Sequence, residues 1–133
     1  MADGLRLALV QANFCVGDIA GNQTMIIDAA RDASARLGAN VVVFPELAVT
    51  GYPPEDLLFR PGLHRRVAAA LEEIAAEVAD YHVILGYPEH TAEGLYNSCA
   101  VLHQGRQIAN YRKQHLPNYS VFDEKRYFIP GNS

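Results

Sequence analysis

Cysteine is scarce in this 133-residue chain: Cys15 and Cys99 are far apart, and no CxxC-type spacing relates them. No disulfide framework or paired-thiol metal motif follows from two such residues, and reduced thiols in a cytoplasmic protein are the expectation. Long hydrophobic runs are missing too. No stretch approaches the roughly 20 apolar residues a membrane helix needs. The opening residues, MADGLRLALVQANF, have neither the basic leader nor the extended apolar stretch of a signal peptide. Basic tracts are absent: 11 Lys and Arg against 15 Asp and Glu leave a net charge of −4. That balance speaks against nucleic acid or an anionic membrane as partner. No GxGxxG or P-loop is present to hold ATP or a dinucleotide, so no resident cofactor is expected. The five histidines, His64, His82, His90, His103 and His115, form no HExxH or similar pairing, and no metal site is expected either.

What is present is ordinary globular composition, 50% hydrophobic and 20% charged, in a length that suits one domain at most. LRLALVQAN (5–13) alternates, Leu5, Leu7 and Leu9 on one face, and predicts a mostly buried strand. Asn22 is placed to cap a helix running to about Leu37, with Ile26, Ala29, Ala30, Ala33 and Leu37 at helical spacing and Gly38 to end it. NVVVFPE (40–46) is a short β-branched run of the kind found in buried parallel strands. Pro61 suits the first turn of a second helix, whose stripe is Leu63, Val67, Ala70, Leu71, Ile74 and Val78. HVILGYP (82–88) predicts a third strand. After a loop EHTAEG, the segments LYNSCAVLH and RQIANYRKQ predict a hairpin about Gln104-Gly105. The tail HLPNYSVFDEKRYFIPGNS has no clear period and predicts a long loop. The order β-α-β-α-β-β-β is an α/β layered fold: a mixed sheet with helices on one face, the other face apolar and in want of cover.

Two residues stand where chemistry is often found. Glu46 follows a buried strand into a Gly- and Pro-rich turn, beyond the carboxyl end of an open α/β sheet, where such folds bind ligands. The alternative for it is a turn-capping or lysine-paired loop residue. Lys113 ends the last strand; in strand alternation it shares a face with Tyr111 while Arg112 takes the other. If that face is buried, a carboxylate must pair with it; otherwise it is an exposed strand-end lysine. Tyr52 and Tyr119 lie in the same two loops. Neither cysteine sits on a strand-to-helix elbow, and both read as small core residues.

Together, VVVFPELAVTGYPPEDLL and NYRKQHLPNYSVFDEKRYFIPG resemble the nitrilase (carbon–nitrogen hydrolase) superfamily. The shared signal is a strand ending in F-P-E, then Y-R-K-x-H-L, then E-x-x-x-F-x-P-G, which Glu124, Phe128, Pro130 and Gly131 fit. GYPPEDLL with LPNYSVFDEKRYF is similar to the glutaminase branch that serves bacterial glutamine-dependent NAD synthetases.

The resemblance implies a Glu-Lys-Cys triad acting on glutamine. Glu46 would be the general base, Lys113 the oxyanion-stabilising cation, and Glu124 a brace beside the lysine. Tyr119 and Tyr52 would line the glutamine pocket. It also implies what this chain does not contain. The family's cysteine follows the lysine on a Cys-Glu-Asp elbow, whereas Cys15 and Cys99 both precede Lys113. The family fold is an αββα sandwich, of which residues 1–133 would be the N-terminal half. A synthetase domain using ATP and Mg would be its partner in the same chain, in a homo-oligomer. The 133 residues alone are therefore expected to be inactive. Two other readings stay open: another amidase of the superfamily, and a non-catalytic half-nitrilase that binds a partner through its open face.

Overall fold

Asp18, not Asn22, starts the first helix. The computed structural model describes residues 4–119 and 122–132. In it α1 (Ile19–Leu37) begins with the Asp18 carboxylate accepting the Gly21 backbone N–H at 3.0 Å, and ends on Gly38 in the left-handed region. Asn22, read as the cap, lies one turn inside the helix and is fully buried. Its amide serves tertiary structure, as described below. Asp and Asn both cap well, and the spacing alone did not separate them.

The second helix, α2 (Leu63–Glu77), has Gly62 as its N-terminal cap, so Pro61 lies outside the first turn that was expected for it. A 3-10 helix (Glu55–Phe59), unforeseen in the sequence, fills the approach. The predicted stripe is the buried one: Leu63, Val67, Ala70, Leu71 and Ile74, with Val78 at the C-terminal cap.

Five strands form one sheet in the order β1 (Leu7–Leu9), β2 (Val41–Val43), β3 (His82–Thr91), β4 (Gly94–His103), β5 (Arg106–Arg112). The pairs β1–β2 and β2–β3 are parallel, and β3–β4 and β4–β5 antiparallel. Each parallel step is made by a crossover helix, and the two helices pack together on one face of a mixed sheet, as expected. The loop read at EHTAEG is a hairpin instead: β3 runs to Thr91 and β4 starts at Gly94. Gln104 and Gly105, both at positive φ, make the predicted tight turn into β5. The tail read as a long loop holds a two-stranded ribbon, β6 (Asn118–Tyr119) with β7 (Phe122–Asp123), and a 3-10 turn at Glu124–Arg126.

The core lies between the sheet and the helices. Val42, Val83, Leu85, Ala100 and Leu102 project into it and are fully buried. The opposite face carries Leu7, Leu9 and Tyr111, 55%, 74% and 53% exposed. That corrects the reading of 5–13 as a mostly buried strand. β1 pairs over only three residues, since β2 offers no more, and of its two faces only the one bearing Ala8 and Val10 packs against the core.

Candidate active site

Glu46 is aimed by a turn that crosses the sheet at a glycine. A side chain on Gly86 in β3 would lie 2.4 Å from the Leu47 nitrogen and 2.8 Å from the Pro45 oxygen. Only hydrogen lets the Pro45–Glu46–Leu47 backbone pack so closely. Leu47 takes a positive φ, and its side chain is buried under the turn. The far side of the loop is stapled by Asn22, whose Nδ2 donates to Val49 O (3.1 Å) and Cys15 O (2.8 Å) while its Oδ1 accepts the Cys15 N–H (2.9 Å). A buried amide with both its oxygen and its nitrogen hydrogen-bonded is a rigid support.

Lys113 is fixed by its backbone on both edges. Its N–H donates to Asn97 O (2.8 Å) and its carbonyl accepts from the Gly131 N–H (2.8 Å). The ammonium then reaches two carboxylates at once, donating to Glu46 Oε1 at 2.8 Å and Glu124 Oε1 at 2.9 Å. Glu124 is the buried member, its second oxygen accepting from Asn97 Nδ2 at 3.2 Å. Burial by itself would lower the Lys113 pKa; hydrogen bonds and charge from Glu46 and Glu124 outweigh it, and the net shift is upward. Lys113 therefore stays a cation, and the exposed-lysine alternative does not describe it.

Tyr52 stands close enough for burial, and then the charges of Glu46 and Glu124, to raise its phenol pKa. It lines a small cavity with Leu47, Pro53, Glu124 and Tyr127. The backbone of Tyr119 is in β6, and its side chain lies outside what the structure describes.

Glu46 and Lys113 border a cleft of about 270 Å³ on the open sheet face, walled by Phe44, Gly86, Cys99 and Tyr111. A carboxylate touching a fixed ammonium beside an open cleft combines a proton acceptor with a donor for a developing oxyanion. The cleft also holds the Cys99 thiol, whose pKa is raised by burial. Cys15, expected in the core, is exposed in the loop before α1. Among the described residues no group of three or more His, Cys, Asp and Glu could hold a metal ion, and no helix is long and apolar enough to cross a membrane. Asn97 and Gly86 went unnoticed in the sequence. Asn97 carried one signal, an amide two places from Cys99 and so on the same strand face.

The Carbon-nitrogen hydrolase family profile matches residues 6–133. The chain is 46% identical over 128 residues to a glutamine-dependent NAD(+) synthetase of Xylella fastidiosa, covering 96% of this chain and 24% of that protein. In structure it resembles the glutamine-dependent NAD+ synthetase of Acinetobacter baumannii, with TM-score 0.91 and 40% identity over 97% of this chain and 24% of that one. It also resembles a variant of an amidase from Nesterenkonia sp. AN1 that bears an acrylamide adduct at its active-site cysteine. There the TM-score is 0.83 and the identity 27%, over 98% of this chain and 51% of that one. The chain thus spans about a quarter of the length of the synthetases it matches. By the reach of the family profile and the fold of its neighbours, this chain belongs to the carbon-nitrogen hydrolase family.

Proposed function

We propose that this chain is the N-terminal part of a glutaminase domain that releases ammonia from glutamine for the ATP-dependent amidation of deamido-NAD. The observation that carries the reading is the Lys113 ammonium held between Glu46 and Glu124 at 2.8 and 2.9 Å, on the sheet face that opens to the cleft. Glu46, the more exposed carboxylate, takes a proton from an attacking thiol and returns it to departing ammonia. Lys113 stabilises the tetrahedral oxyanion, and Glu124, hydrogen-bonded and buried, keeps the ammonium in line. Tyr52, whose phenol feels the charges of Glu46 and Glu124, is assigned to the rim of the glutamine site. The nucleophile is a cysteine outside these 133 residues, because the family's cysteine follows the lysine and both Cys15 and Cys99 precede Lys113. The synthetase partner, with its ATP and Mg, belongs to the same longer chain.

Identity to the synthetases well above that to the amidase favours glutamine over another amide. Full-length protein quenched in acid during turnover should carry a covalent glutamyl adduct by intact mass. The adduct should be missing in Glu46→Gln, and these 133 residues alone should release no glutamate. Glutamate release by the isolated chain would refute the proposal that the nucleophile lies elsewhere.

A further inference from the structure

Arg112 immediately precedes Lys113, and strand alternation sends it to the opposite face of the sheet. There its Nε and Nη2 donate to Glu89 Oε1 and Oε2, each at 2.9 Å, a bidentate fork. The guanidinium also lies over the Tyr96 ring, 4.1 Å from its centroid. Glu89 accepts two more bonds, from Ser98 Oγ at 2.8 Å and Asn110 Nδ2 at 3.0 Å. One carboxylate on β3 thus ties together side chains from β4 and β5, at the end of the sheet where Lys113 leaves it. Exposed ion pairs contribute little to stability. This one differs, with a bidentate fork, an aromatic platform and a carboxylate accepting four hydrogen bonds.

A second restraint acts on the same two residues. A side chain on Gly131 would lie 2.5 Å from the Arg112 oxygen and 2.8 Å from the Arg112 Cβ. The bare glycine lets the 130–131 backbone close over Arg112 and deliver the N–H that holds the Lys113 carbonyl. Consecutive residues on opposite faces cannot move independently, and a slip of Arg112 would carry the ammonium out of reach of Glu46 or Glu124.

We propose that the Glu89–Arg112 pair, strapped by Gly131, is a positioning device that sets the height of the Lys113 ammonium between Glu46 and Glu124. Neither member of the pair lines the cleft, and the pair acts through the backbone of β5. The proposal rests on the glutamine-hydrolysing reading above.

The test is made in the full-length protein, comparing Arg112→Gln and Glu89→Gln with Glu46→Gln. Both pair variants should lower glutamine-driven kcat by about tenfold or more with little change in KM, as expected of a misplaced rather than missing catalytic group. Synthesis from free ammonia should stay near its normal rate. Arg112→Lys, which keeps charge and loses the fork, should not restore kcat. Glu89→Gln keeps shape and most hydrogen bonds, and serves where Arg112→Gln does not fold. Unchanged kcat in a folded pair variant would overturn the proposal. So would an equal fall in glutamine- and ammonia-driven rates, the mark of a merely structural role. Glutamine-driven turnover surviving Glu46→Gln would refute the underlying reading instead, and the two failures are told apart by that control.

Discussion

The two faces of the sheet use the same aliphatic vocabulary to opposite ends. On one, Val42, Val83 and Leu85 are sealed beneath α1 and α2. On the other, Leu7 and Leu9 meet solvent, and Glu46 and Lys113 border the cleft. The covered face repeats a familiar packing solution and positions loops. The open face bears charged groups, which would be costly in a sealed core and are held here by mutual pairing. An apolar face with an ion pair at its rim is suited to a second layer that excludes water from the chemistry, as in the αββα sandwich of the family.

Exchanging side chains between these roles should separate chemistry from stability. The largest effect belongs to the open face: Lys113→Met should cut glutamine-driven turnover of the full-length protein by about 100-fold or more. Its thermal midpoint should fall as well, because the buried Glu124 loses its cation. On the covered face, Leu85→Ala should cost about 3 kcal/mol in chemical denaturation without any specific effect on glutamine. Leu9→Ala should cost under about 0.5 kcal/mol in this chain by itself, where Leu9 is exposed, and clearly more in the full-length protein. Equal costs in both settings would mean that no layer covers the open face.

Acid should act on the covered side first. Glu89 has its pKa lowered to about 2 by Arg112 foremost, with Ser98 and Asn110 adding to the effect against burial. The folded chain thus keeps it ionised where the unfolded chain takes up a proton. Its contribution is complete above about pH 4.5 and disappears toward pH 2, and Glu89→Gln should flatten that limb of the stability curve. His64 gives a smaller effect at milder pH. Burial, aided by the nearby His90, lowers its pKa against the hydrogen bond to the Leu58 carbonyl. The unfolded chain therefore protonates first, and stability should decline as pH falls below about 6.5, a decline that His64→Asn should remove.

The helices, the succession of strands along the chain and the one-sided packing were legible because they follow from local periodicity: the Leu63-to-Ile74 stripe and the VVV run leave few alternatives. Burial of β1 was misread because alternation reports two faces and says nothing of whether a layer exists to cover each. Asn22 was misread because the capping rule is local, whereas its amide reaches Cys15 and Val49 across the fold. Of the site, Glu46 and Lys113 stood out by position and Glu124 through the family motif. What joins them was not legible, since Glu46 and Lys113 are 67 residues apart and meet only through the sheet. The clamp on Arg112 was likewise hidden, because Glu89 sits in a segment read as loop.

The proposed role of Glu46 and Lys113 is ammonia release from glutamine. The most direct measurement is the ratio of glutamine-driven to ammonia-driven NAD synthesis by the full-length protein, with and without Glu46→Gln. The substitution should collapse the glutamine-driven rate and leave the ammonia-driven rate near normal. A ratio unchanged by the substitution would contradict that role.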